Sequence, residues 1–191
     1  MKAKTILSRV VKMVVLVTSF SNVIGLSVPG AWANQKPRIA VLKKAKHRAE
    51  LNLRLCEAAR NGALSQVKAL VKQGANVNTH GAKRGDRMTP LMGAAEGDYV
   101  KTMTYLLAKG ALINAKDGQG NTALHTAVDE GSAKAVKLLL KHGANYRLKN
   151  IYGSTPYWLT TRDEMPADYN ENLANQKMLK AQMAKDKRPV K

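Results

Sequence analysis

Hydrophobic positions change their period along this chain. Residues 13–26, MVVLVTSFSNVIGL, form one apolar stretch, diluted by Thr18, Ser19, Ser21 and Asn22. It is shorter than the roughly 20 apolar residues a membrane span needs. From residue 38 to 60 neither Gly nor Pro interrupts the chain. Ile39, Leu42, Ala45, Ala49 and Leu53 recur there at helical spacing among lysines. This predicts a basic helix that runs into, or packs on, the first of the shorter helices beyond it. In those the apolar pattern becomes short and paired. Leu55, Ala58 and Ala59 precede Gly62, and Val67, Leu70 and Val71 precede Gly74. The same i, i+3, i+4 stripe returns as Val136, Leu139 and Leu140 before Gly143. Each predicted helix therefore ends where glycine allows a left-handed turn. Leu173, Met178, Leu179 and Met183, within residues 170–187, predict a closing helix with a polar outer face.

The paired helices repeat with a fixed period. Thr89-Pro90-Leu91-Met92-Gly93-Ala94-Ala95 recurs 33 residues later as Thr122-Ala123-Leu124-His125-Thr126-Ala127-Val128, and again after 33, degraded, as Thr155-Pro156-Tyr157-Trp158-Leu159. Leu106-Leu107-Ala108-Lys109-Gly110-Ala111 returns at the same step as Leu139-Leu140-Lys141-His142-Gly143-Ala144. An earlier copy holds Leu55-Cys56-Glu57-Ala58-Ala59-Arg60-Asn61-Gly62 and Leu70-Val71-Lys72-Gln73-Gly74-Ala75-Asn76. The leading Thr supplies a helix cap, and Pro at the first helical position loses no hydrogen bond. Leu and paired Ala make a narrow first helix that lets neighbours approach closely.

This pattern resembles the ankyrin repeat family over residues 51–165, and residues 121–153 come nearest its consensus. The resemblance implies an all-α solenoid of stacked helix-turn-helix units with projecting β-turn loops. It also implies a protein-binding scaffold rather than an enzyme, and leaves the partner unnamed. Two departures stand out. In the second copy Gly97 precedes the expected turn position, which Asp98 occupies; Asp tolerates left-handed backbone better than most residues, so a local adjustment is expected. From Gly74 to Thr89 is 15 residues against 12 from Gly110 to Thr122, which places a three-residue insertion within residues 78–87. The last copy lacks the Gly and Leu run, as a degenerate cap would.

Ahead of the repeats, Lys2, Lys4, Arg9 and Lys12 precede the apolar stretch, and Val28-Pro29-Gly30 and Ala31-Trp32-Ala33 come after it. A basic start, a short apolar core and small residues at the cleavage positions spell a secretory signal peptide cut after Ala33. The expected organisation is then a signal at 1–33, a basic helix or linker at 34–50, repeats at 51–165, and a capping helix with basic tail at 166–191. The expected location is periplasmic or secreted, and the Ala-Trp-Ala site suits a Gram-negative periplasm.

Composition narrows the chemistry. The chain has 191 residues, 32 Lys plus Arg against 13 Asp plus Glu, and a formal net charge of +19. A single cysteine, Cys56, excludes a disulfide framework and multi-cysteine metal sites. His47, His80, His125 and His142 share no ligand spacing, and His125 sits where the family places a histidine that bonds neighbouring backbone. Cys56 reads as a small filler. No phosphate loop, nucleophile elbow or useful carboxylate pair is present, so neither catalysis nor a cofactor is expected. Aromatics at 5% leave no base-stacking platform, and no specific nucleic-acid recognition is expected.

The loops carry the candidate site. Lys83, Arg84 and Arg87 lie in the inserted loop, Lys116 in the next, and Arg147 and Lys149 in the third. Stacked in register they form a basic row suited to an acidic surface on a protein partner, met by a monomer. Arg84-Gly85-Asp86 spells an adhesion tripeptide that nothing else in the chain supports. Two alternatives stand beside the adaptor. One is a bacterial effector delivered to a host cell. The other is a polybasic binder of anionic surfaces, including peripheral contact with a membrane, acting through the charged ends.

Overall fold

The computed structural model describes residues 35–81, 87–160 and 170–186. The expected signal, residues 82–86 of the inserted loop and the extreme tail lie outside the described residues. Two compact units divide the chain, 1–44 and 45–191. In the first, the described residues are the opening of helix α1 (Gln35–Arg60), where Val41 and Leu42 stand exposed.

In the second unit every regular element among the described residues is a helix. The rest of α1 is followed by α2 (Leu64–Lys72), α3 (Pro90–Glu96), α4 (Val100–Ala108), α5 (Ala123–Asp129), α6 (Ala133–Lys141), α7 (Pro156–Leu159) and α8 (Asn170–Asp186). Short helices α3, α5 and α7 pack side by side, as do α2, α4 and α6, and α8 closes on α6. This is the stack that a 33-residue repeat dictates, because one helical pair cannot cover its own apolar face. Leu91, Met92, Met103, Leu106, Leu124, Val128, Val136 and Leu139 fill the shared core. Leu179 seals it from α8 with Met178 and Met183 alongside.

The apolar stripe expected in α1 is corrected. Leu42, Ala45 and Ala49 are exposed and Leu53 partly so. Burial begins at Leu51 and continues through Leu55, Ala58 and Ala59. Those positions share one face at i, i+4, i+7 and i+8, whereas Leu53 sits about 200° around the helix from Leu51. The face that meets α3 is therefore set by the repeat, not by the aliphatic residues upstream.

The turns follow the sequence closely. Gly62, Asp98 and Gly131 occupy the same repeat position with φ of 66°, 53° and 72°. Asp98 adds a link that glycine lacks: its Oδ1 accepts from the Ala135 N–H at 2.6 Å, one repeat on. Ser132, ahead of α6, makes no cap of its own and donates instead to the Glu96 carbonyl at 3.2 Å. The second and third repeats are thus latched in both directions.

The insertion is also placed. The loop tips close by N–H to carbonyl bonds from Asp117 to Asn121 (2.9 Å) and from Asn150 to Ser154 (3.0 Å). In the first loop the equivalent bond runs from Gly81 to Met88 at 2.8 Å, three residues further apart in sequence. Asp117 and Asn150 fold their tips by accepting two backbone N–H groups each. Gly81 has no side chain for that task, so the tip there is free to be longer.

Candidate functional site

Backbone and amide bonds hold successive loops in register. Asn78 accepts from the Leu112 N–H at 2.7 Å and donates to the Gly110 carbonyl at 3.0 Å. Asn114 accepts from the Asn145 N–H at 2.9 Å, and Asn150 donates to Asn121 at 3.0 Å. The Ile151 N–H donates to the Gln119 carbonyl at 3.0 Å. The backbones of successive tips are therefore held relative to one another.

One candidate cation reaches the backbone of another. The Lys116 ammonium donates to the Lys149 carbonyl at 2.9 Å, and both residues are exposed. Arg147 is exposed on the same loop, its guanidinium 5.4 Å from the centre of the Tyr146 ring. Tyr146 is itself anchored, donating to Asp186 at 2.7 Å. Arg87 is exposed in a left-handed conformation at φ 51°. Lys83, Arg84 and the tripeptide at 84–86 lie outside the described residues.

Behind the tips, the face of the short helices carries a groove of about 670 Å³. Asp129 and Glu130 line it from the end of α5, and Tyr152 and Trp158 from the third loop and α7. Burial lifts the Glu130 carboxyl above its ordinary value, with Glu96 and Asp129 adding repulsion that Arg60 only partly offsets. Arg60 is engaged in an ion pair with Glu96. The sequence displays these acids on the short helices without assembling them. The signal that joins them is the register itself, since Arg60, Glu96 and Asp129 each stand two residues before the same turn position.

The titratable groups within the fold do structural work. His125 is buried; its Nδ1 accepts from the Thr122 N–H at 3.2 Å, and its Nε2 faces the Ser154 carbonyl at 3.1 Å. That pairing requires the neutral tautomer with the proton on Nε2. Burial holds its pKa below the ordinary 6.5, against the opposing bond to Ser154. Met92 takes the equivalent place in the second repeat, its sulfur accepting from Thr89 at 3.3 Å. Burial, aided by Glu57, pushes the Cys56 thiol up to about 11, so it stays protonated and unreactive at neutral pH. Among the described residues no group of three or more His, Cys, Asp or Glu is placed to hold a metal ion. No helix among them is long and apolar enough to cross a membrane.

Comparison with known proteins agrees with this architecture. The family model described as "Ankyrin repeats (3 copies)" matches residues 55–150. An ankyrin repeat protein of fowlpox virus is 38% identical over 112 residues, 58% of this chain and 33% of the relative. The ankyrin repeat and KH domain-containing protein mask of Drosophila melanogaster is 41% identical over 109 residues, 56% of this chain and 3% of the relative. Inversin of Gallus gallus is 41% identical over 78 residues, 41% of this chain and 7% of the relative. The chain thus spans a third or less of the length of each of these relatives.

Proposed function

Because the chain belongs to the ankyrin-repeat family, we propose that it is an exported, non-enzymatic scaffold that binds another protein through its loop tips and short-helix face. Proteins of this family bind other proteins, and the core here is spent on stacking rather than on a reactive centre. The observation that carries the acidic-partner reading is the contact between tips: Lys116 bonded to the Lys149 backbone one repeat on. It holds the Lys116 ammonium against the backbone of the next loop, which also carries Lys149 and an Arg147 guanidinium near the Tyr146 ring. On the sequence pattern, Lys83, Arg84 and Arg87 of the inserted loop belong to the same proposed row. Export rests on the basic, apolar and small-residue order of residues 1–33, and the scaffold acts as a monomer.

The test is capture from native cells with the tagged full-length chain and with a variant in which Lys83, Arg84, Arg87, Lys116, Arg147 and Lys149 are all Ser. The wild type is expected to begin at Asn34 on N-terminal sequencing and to retain one protein at high salt. The Ser variant is expected to lose that protein at least about tenfold, as several charge-assisted contacts are removed together. Capture unchanged by the substitutions moves the binding to the basic ends, and polyanions that wash off with salt support the electrostatic alternative.

A further inference from the structure

The tips are basic, but the groove behind them has the opposite character. Met88 borders both the large groove and a smaller hollow of about 190 Å³, which Leu53, Cys56, Gly81 and Gly93 also line. The two spaces adjoin at that side chain. One end is lined by apolar and small residues together with Glu57 and Arg60; the other presents Asp129, Glu130, Tyr152 and Trp158. Tyr152 is 71% exposed and Trp158 51%, high values for large aromatic side chains at the edge of a groove.

The groove's charge is set by the repeat. Arg60, Glu96 and Asp129 are equivalent positions, and the single cation among them is paired to Glu96. The side chains of Asp129 and Glu130 form no hydrogen bond or ion pair among the described residues, and Glu96 and Asp129 both raise the Glu130 carboxyl by repulsion. Asp117 also lines the groove, but its oxygens are taken by the Gln119 and Asn121 N–H groups of its own tip. In a chain of net charge +19, two adjacent carboxylates that Arg60 offsets only in part, beside an indole, are a local inversion of sign. A guanidinium suits that arrangement in two ways, forking to carboxylate oxygens and stacking on the aromatic face. Phosphate-bearing ligands are repelled by it.

We propose that this face binds an extended segment of a protein partner carrying one apolar side chain, seated beside Met88, and a nearby arginine or lysine, seated between Glu130 and Trp158. This rests on the scaffold reading and deepens it. The tips and the groove recognise opposite charges, so an acidic body with a basic extended segment satisfies both.

The test uses the full-length protein and fluorescein-labelled eight-residue Gly/Ser peptides bearing one leucine and one arginine at every spacing. Counterparts carry glutamate for arginine, or glycine for leucine. Fluorescence anisotropy is expected to find one spacing at which the arginine peptide binds at least about tenfold tighter than its glutamate counterpart, with leucine adding several-fold. Asp129→Asn with Glu130→Gln, isosteric at exposed positions, is expected to abolish the arginine preference while the thermal melt stays as in wild type. Trp158→Ala is expected to weaken the same peptide separately. The Ser variant of the tips is expected to bind it as wild type does. That arm keeps the two readings apart, because each face is scored by its own probe. Equal binding of arginine and glutamate peptides overturns the proposal, as does a preference that survives the carboxamide pair. An arginine preference seen only after Lys187, Arg188 and Lys191 are changed to Ser also overturns it, by giving the groove to the chain's own tail.

Discussion

Leu139→Ala is expected to destabilise the protein by about 2–5 kcal/mol, the cost of truncating a fully enclosed leucine and leaving a cavity. Leu139 has no solvent exposure, and α6 packs against α4, α5 and α8, so the space it fills belongs to two repeats and the closing helix at once. Leu106 occupies the same position one repeat earlier and is equally enclosed, so Leu106→Ala is expected to fall in the same range. Leu140, the neighbour of Leu139, is only half-buried and serves as the control, with a smaller loss expected. Urea unfolding followed by circular dichroism measures all three. A stack of this kind gains its stability from nearest-neighbour interfaces, so the damage is expected to reach adjacent repeats as well. Melting unchanged by Leu139→Ala contradicts the repeat register.

The second large effect concerns His125. Its ring satisfies the Thr122 N–H within its own repeat and the Ser154 carbonyl in the next. Removing it strands the Thr122 N–H in a buried site, at about 1–3 kcal/mol, while the Ser154 carbonyl keeps the Asn150 N–H as a donor. His125→Leu is therefore expected to cost about 1–3 kcal/mol, although it adds apolar bulk. The same bonds make stability depend on pH. The folded-state pKa lies below the ordinary 6.5, so between those two values the unfolded chain binds the extra proton. Stability is thus fully present above about 6.5 and falls as the pH drops toward the folded-state value. Glu130 works in the opposite sense, since its raised carboxyl takes up a proton more readily when folded. The difference between wild type and His125→Gln isolates the histidine. Melting temperatures across mildly acidic pH are expected to fall more steeply in wild type, and parallel curves contradict the assigned role.

Much of the fold was legible because its rules are local. A 33-residue step, glycine at the turn and Thr ahead of the short helix are stated by residue identity alone. Asp98 could be placed in the left-handed position because its neighbours kept their spacing, and the inserted loop showed itself as a change in that spacing. What the sequence left out is tertiary. The aliphatic residues of the first half of α1 have helical spacing, but nothing local says which face meets α3, and the register of Leu51 and Leu55 decides it. The link from Asp98 to Ala135 depends on how two repeats approach, which no motif encodes.

The site divides in the same way. Charges on the tips can be counted, and Lys116 and Lys149 stand together because equivalent loop positions stack. The groove could not be counted. It joins Met88, Glu130, Tyr152 and Trp158, residues up to 70 positions apart, each unremarkable in its own segment. Its sign opposes that of the whole chain, so the overall composition points away from it.

The scaffold's working face can be tested directly by placing a photo-crosslinking amino acid at Arg147, at Tyr152 and at Lys137 in separate full-length variants, then irradiating native cells. Arg147 samples the tips, Tyr152 the groove and Lys137 the solvent side of α6. One discrete adduct of the same mass is expected from Arg147 and from Tyr152, and none from Lys137. Adducts from Lys137 alone, or equal smears from all three, contradict a scaffold that binds through its tips and short-helix face.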